Sequence, residues 1–123
     1  GNVIMLNANE LLQKGIKQVK AAGIRPGNID PEVVINSRAK SRFGLCRMGK
    51  YNYQIEINSQ LLQAEEKKVM NTIVHEILHT VRGCMNHGST WARYANIMNC
   101  KFGYDISRTS SYEKMGLEEP KAM

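Results

Sequence analysis

The segment His75-Glu76-Ile77-Leu78-His79 contains the residue types that an enzyme needs to bind a metal ion and activate water. Residues four apart lie on one face of an α-helix, so His75 and His79 can present imidazole nitrogens to a single ion. Glu76 lies about 100° further round the helix, where its carboxylate can reach a water on that ion without binding the metal itself. Imidazole suits zinc, so the segment predicts a site for one Zn²⁺ ion with Glu76 as the catalytic base.

Catalytic zinc sites typically have three protein ligands and a water, and His87 is the remaining histidine of the chain. Gly83 is expected to end the first helix, because glycine adopts the left-handed conformation without steric cost. A second helix is then expected to begin near His87 and to carry Trp91 on its apolar face. If that face packs against the first helix, His87 points back toward His75 and His79.

Other assignments of these residues compete with this one. A lone histidine on an apolar face is usually a core residue, but here all the histidines lie within thirteen residues at ligand spacing. The longer metzincin pattern needs a glycine in place of Arg82 and a histidine in place of Met85. Asp105 is the only serious competitor of His87 as third ligand, while a Cys84 thiolate would make the site more structural than hydrolytic.

The chain resembles a SprT-like metallopeptidase domain, the family that includes the Spartan-type DNA-dependent proteases. The resemblance covers roughly Ile29 to Arg108 and rests on three segments in order. They are Ser41 to Arg47 followed by Ile55 to Asn58, then Val74 to His79, and then His87-Gly88 followed by Trp91.

The resemblance implies a small zincin-like domain in which His75, His79 and His87 bind the zinc ion and Glu76 is the catalytic base. Many relatives also carry a C-terminal zinc ribbon with paired cysteines. This sequence ends at Met123 without a C-x-x-C pattern, so we expect that module to be absent or removed.

Length and composition predict a single domain spanning residues 1–123, with the ordinary apolar content of a globular protein. The sequence contains no run of about 18 apolar residues, so it predicts no transmembrane helix. The three cysteines are scattered and odd in number, which favours free thiols in a reducing compartment and a cytoplasmic location.

Net charge of +6 and a pI near 9.4 favour non-specific attraction to nucleic acid. The basic residues concentrate between positions 38 and 50, where Arg38, Lys40, Arg42, Arg47 and Lys50 occur without an acid. In an extended strand the first three would share one face. All five basic residues are candidate DNA-contact residues, and a solvated strand face is an equal alternative.

The periodicity of the chain predicts an α+β fold with an N-terminal helix, a short antiparallel sheet of about three strands, and two helices that carry the metal ligands. The predicted elements are a helix from Asn7 or Asn9 to about Ala22, strands at Val33–Ile35, Phe43–Met48 and Tyr51–Ile57, a helix over Glu65–Arg82, and a helix from His87 or Ser89 to Cys100.

These observations favour a zinc metalloendopeptidase that hydrolyses peptide bonds in a protein or peptide substrate, with DNA as a further partner. One alternative is a basic nucleic-acid-binding module with a structural zinc and little proteolysis. Another is a general intracellular peptidase that ignores DNA. Donors for the developing oxyanion are expected among Tyr94, Tyr104, Arg82 and Arg93, and partners for the ligand imidazoles include Asp105 and Asn86.

Overall fold

The computed structural model describes residues 6–38, 42–109 and 117. Its elements in chain order are α1 (Ala8–Ala21), β1 (Val34–Asn36), β2 (Gly44–Met48), β3 (Tyr53–Asn58), a 3₁₀-helix (Ser59–Gln63), α2 (Glu66–Leu78) and α3 (Ser89–Phe102). The predicted α+β fold class is confirmed. Within these ranges, no helix combines the length and the apolar character that crossing a bilayer requires.

The strands form a mixed sheet in the order β1-β3-β2. The predicted antiparallel pairing is confirmed for β2 and β3, with Gly44 opposite Ile57. The sheet is not wholly antiparallel as expected, because β1 runs parallel to β3 and ends with Asn36 beside Asn58. Asn36, at the end of β1, and Gly44, at the start of β2, therefore both lie at the Asn58 end of β3.

Helix α2 lies at the centre of the molecule, where it contacts α1, β2, β3 and α3. Its apolar residues cover a wide arc of the helix and are almost completely buried. They are Val69, Met70, Ile73, Val74, Ile77 and Leu78. A helix buried on so many sides has little freedom to rotate or slide, so the polar side chains that it carries are held in fixed positions.

Helix α2 ends at Leu78, four residues before the predicted end at Arg82. The N–H groups of the next three residues bond to carbonyls three residues back rather than four, which tightens the turn. The Thr80 hydroxyl competes for the same carbonyls, donating to the Ile77 carbonyl at 2.7 Å. Gly83, which was expected to end the helix, lies beyond the C-cap His79 and adopts its φ of +82° in the turn that follows, so that prediction is wrong.

A buried carboxylate on β3 joins the three strands of the sheet. Glu56 is 6% exposed, and it accepts hydrogen bonds from Asn36 at 3.2 Å and Arg42 at 3.1 Å. Arg47 on β2 lies 3.5 Å from its other oxygen. Burial by itself raises the pKa of Glu56, but the hydrogen bonds from Asn36 and Arg42 and the two guanidinium charges outweigh it and hold that pKa below 4.5.

We expect Glu56→Gln to destabilise the fold by about 1–2 kcal/mol at pH 7, since both arginines are half exposed and only part of their pairing energy is lost. The lowered folded-state pKa means that the carboxylate stabilises the fold above its unfolded pKa. That contribution disappears as pH falls through the folded pKa, so the difference between the two proteins should shrink below pH 4.5.

Denaturant unfolding of wild type and Glu56→Gln across this pH range measures the effect, with the exposed Glu32→Gln as the matched control. Equal losses in the two variants, or a Glu56→Gln effect that persists unchanged in acid, would contradict this role for the Glu56 carboxylate.

Candidate metal centre

The three histidines present their Nε2 atoms to a common point. His75 Nε2 and His79 Nε2 each lie 2.9 Å from His87 Nε2, and the candidate ligand atoms all lie within 4.8 Å of one another. Nitrogen ligands on a tetrahedral zinc lie about 3.3 Å apart, since each Zn–N bond is about 2.0–2.1 Å long. The predicted histidines therefore come together at a spacing that fits one cation.

The helices and the turn between them set this arrangement. Helix α2 places His75 and His79 one turn apart, and His87 lies just before α3 rather than within it. Trp91, one turn into the predicted apolar face of α3, is 1% exposed and packs against all three imidazoles. Its ring stacks on His79 with a centroid separation of 5.6 Å, so the buried indole supports the imidazole rings from one side.

Hydrogen bonds to backbone carbonyls orient the two helical ligands. His75 Nδ1 donates to the Ser107 carbonyl at 3.0 Å, and His79 Nδ1 donates to the Cys84 carbonyl at 2.8 Å. A carbonyl only accepts, so the proton of each neutral ring must reside on Nδ1. Each Nε2 lone pair is then free to face the common point, as metal-binding histidines require.

The surroundings keep the imidazoles neutral. Burial, followed by the charges of His79 and His87, lowers the pKa of His75 to about 3. Burial is also the main cause of the lowered pKa values of His79 and His87. Neutral imidazole is the form that binds a metal, so few protons compete for these nitrogens near pH 7.

The carboxylate of Glu76 lies beside the ligand cluster without joining it. Its Oε2 is 3.9 Å from His75 Nε2, and the residue is 7% exposed. Burial raises the pKa of Glu76 to about 8, whereas a cation held by the histidines would favour the ionised form. This is the position that the sequence predicted for a catalytic base.

The histidines and Glu76 line a cleft of about 380 Å³ whose opposite wall is β2. Among the described strands, β2 pairs only with β3, so its other edge faces away from the sheet. A Cβ added to Gly44 would lie 2.9 Å from Glu76 Oε2 and 2.7 Å from the Thr72 methyl group. The absence of a side chain at Gly44 thus lets the strand lie directly against the carboxylate.

The competing ligands named from the sequence do not enter the cluster. The group of possible ligands found among residues 6–38, 42–109 and 117 contains the three histidines and neither Asp105 nor Cys84. The partners suggested for the imidazoles, Asp105 and Asn86, are also replaced by the carbonyls described above. Of the described residues that line the cleft, none is a predicted oxyanion donor (Tyr94, Tyr104, Arg82 and Arg93).

Two cleft residues were given no role from the sequence, although the segment Tyr104 to Arg108 was expected to cover one side of the site. Thr72 is 5% exposed, and its hydroxyl has no hydrogen-bond partner among the described residues. It lies four residues before Glu76, so helical spacing could have placed it on the same face. Arg108 lines the cleft and donates from Nε to the His87 carbonyl at 2.9 Å. It follows α3 in an irregular segment, so no periodic pattern points to it.

The basic segment does not form the shared strand face considered from the sequence. Arg38 follows β1 and Arg42 precedes β2, so both lie outside the strands. Arg42 and Arg47 pair with the buried Glu56 carboxylate described above. Lys40 lies outside the described residues. Arg38 and Lys50 are exposed, and the Lys50 ammonium lies 5.4 Å from the centre of the Tyr51 ring.

Removal of the third imidazole tests the ligand assignment. We expect His87→Ala to weaken zinc binding by more than about 100-fold, because partners that merely orient ligands already contribute about 10–100-fold. Elemental analysis and competition with a chromophoric chelator measure the change. Asp105→Asn is the matched control and should bind zinc like wild type. Unchanged zinc affinity in His87→Ala, or a loss confined to Asp105→Asn, would show that the third ligand is wrong.

Comparison with known proteins bears on the whole of this arrangement. The model of the SprT-like family matches residues 8–110, a range that includes α1, the sheet, the three histidines and Glu76. No curated protein and no solved structure matches the chain significantly. Because the match extends over most of the sequence and contains the complete histidine cluster, the chain belongs to the SprT-like family.

Proposed function

We propose that this protein is a zinc-dependent metalloendopeptidase that hydrolyses peptide bonds in protein substrates. The observation that carries the proposal is a buried carboxylate 3.9 Å from one nitrogen of a three-imidazole cluster, inside an open cleft. A purely structural zinc site is closed by four protein ligands and needs no neighbouring base. Three ligands beside Glu76 leave a coordination position and a proton acceptor for chemistry.

His75, His79 and His87 would hold the zinc through Nε2. Bound zinc would supply Lewis acidity, lowering the pKa of a water to about 7 and polarising the scissile carbonyl. Glu76 would accept the proton of that water and later deliver it to the leaving amine. Its burial in the cleft wall keeps competing bulk water away from the carboxylate and strengthens its electrostatic interactions.

Two further residues that line the cleft would support the reaction. The guanidinium of Arg108 would place positive charge near the oxyanion that develops on the carbonyl, while its Nε–H donates to the His87 carbonyl. Thr72 lies one helical turn from Glu76, and its methyl group would fix the spacing between the helix and Gly44 of β2. Both act by holding atoms in position.

The outer edge of β2 would align the substrate. An extended peptide can add to a sheet edge through backbone hydrogen bonds, which gives affinity for many sequences. The edge passes the reaction centre where Gly44 contacts Glu76. A peptide paired with β2 would therefore present its backbone carbonyls, rather than its side chains, to the base and the metal.

Replacement of the base separates metal binding from turnover. We expect Glu76→Gln to retain one zinc per chain and to cleave denatured casein at least about 10²–10⁴-fold more slowly, since the amide cannot accept the proton. Elemental analysis with a cleavage assay measures both quantities. Wild type stripped by a chelator and reloaded with zinc is the control. Wild-type rates in Glu76→Gln would contradict the role of Glu76 as the base, and no cleavage by zinc-loaded wild type would support the structural-zinc alternative.

DNA association is the second part of the proposal. The net charge of +6 favours nucleic acid, and Tyr51 is 81% exposed beside Lys50. An exposed ring next to an ammonium can stack on a base while the charge contacts a phosphate. Substrates bound to DNA would then be concentrated near the cleft.

Charge reversal tests this association. We expect Arg38→Glu with Lys50→Glu to weaken single-stranded DNA binding and to flatten its salt dependence by about 0.7 for each lost phosphate contact. Fluorescence anisotropy at several salt concentrations measures both. Lys17→Glu with Lys20→Glu is the matched control, since it changes the net charge equally on α1. Equal losses in the two pairs would contradict a DNA site at Arg38 and Lys50, and no binding by wild type at low salt would favour a peptidase that ignores DNA.

A further inference from the structure

A second pocket adjoins the catalytic cleft. Its volume is about 390 Å³, and it lies between the Pro26-Gly27 loop, the end of β2 and the turn that follows α2. His79 and Met85 line both this pocket and the cleft. These two side chains therefore lie at the boundary between the cleft and the pocket, so the two cavities are neighbours.

The path of β2 shows how a substrate would reach it. Gly44, at the start of β2, lies against Thr72 and Glu76 of α2. At the other end of the strand Met48 pairs with Tyr53, whose ring packs with the Thr80 carbonyl around Gly27. Strand and helix thus run side by side in the same direction. From Cys46, in the cleft, to Met48, in the pocket, the strand advances about 7 Å, or two residues.

Two exposed methionines form the apolar part of the pocket. Met48 is 65% exposed and Met85 is 48% exposed, and they come from different elements. Large apolar side chains left in solvent beside a concave site are typical of binding surfaces. Methionine is flexible and polarisable, so two of them can close around apolar groups of different shapes. The Tyr53 ring extends the same apolar surface.

The charged residues of the pocket are both basic. Arg25 and Arg82 are exposed and lie among the residues that line it. Their guanidinium groups would repel a lysine or arginine side chain entering from the substrate. Apolar walls with a positive rim therefore favour a bulky apolar side chain and disfavour a cationic one.

We propose that this pocket is a specificity subsite that takes a bulky apolar side chain of the substrate two or three residues from the scissile bond. The proposal rests on the peptidase function proposed above, because it assumes that an extended peptide pairs with β2. It adds a preference that backbone pairing alone does not provide. Met48 and Met85 would contact the side chain directly, and Arg25 and Arg82 would exclude cations.

Peptide binding to zinc-loaded Glu76→Gln tests the subsite without turnover. The probes are fluorescein-labelled nine-residue peptides of Ala and Thr with one Leu, Ser or Lys guest at each position in turn. At one position we expect the Leu peptide to bind about 10-fold more tightly than the Ser peptide, with Lys weakest, because burying a Leu side chain supplies at least that ratio. Met48→Ser with Met85→Ser should reduce the Leu-to-Ser ratio to about 1–2.

Ile35→Ser is the matched control, because Ile35 is 44% exposed on β1 at the far edge of the sheet. It should leave the ratio unchanged. A ratio near 1 in Glu76→Gln itself, or a ratio that survives loss of both methionines, would overturn the subsite. Binding of a single-stranded oligonucleotide that depends on the methionines would assign the pocket to nucleic acid instead.

Cleavage of the same peptides by wild type separates the two proposals. Turnover that follows the Leu preference supports both. Cleavage without a side-chain preference would support the peptidase function and contradict the subsite. A preference in binding without any cleavage by the zinc-loaded wild type would contradict the peptidase function and, with it, the role of the pocket as a substrate subsite.

Discussion

Three imidazole Nε2 atoms held within 4.8 Å of one another are the constraint on which the rest of the molecule depends. The protons of His75 and His79 are committed at Nδ1 to carbonyls, so both Nε2 atoms can only accept. His87 Nε2 lies 2.9 Å from each and has at most one proton for the two contacts. The lone pairs therefore face each other unless a cation lies between them, and the fold must hold them there.

The burial of α2 meets this constraint and also prepares the base. Removal of water lowers the pKa values of the imidazoles and raises that of Glu76, because in each case the charged form loses its hydration. A cation among the histidines reverses the effect on Glu76 alone, by attraction. The same apolar surroundings thus give neutral ligands and a carboxylate whose proton affinity responds to the metal.

Much of this site could be predicted from the sequence, because its signals are local. Helical spacing places His75, Glu76 and His79 near one another on the helix, and the turn before α3 places His87 beside the other two histidines. The hydrogen bonds to the carbonyls of Ser107 and Cys84 could not be predicted. Every residue has a carbonyl, and only the tertiary structure decides which of them lies beside an imidazole. The parallel direction of β1 and the pairing of Arg42 with Glu56 likewise could not be predicted, since both depend on how the strands come together in the sheet.

The three ligands lie within thirteen residues, from His75 to His87, in one helix–turn–helix unit. Closing so short a loop costs little chain entropy, whereas β2 joins the cleft from about thirty residues earlier. Contacts between near neighbours form faster than contacts between distant segments. We therefore expect the α2–α3 unit to bring its three histidines together early in folding, with the sheet closing over the cluster afterwards.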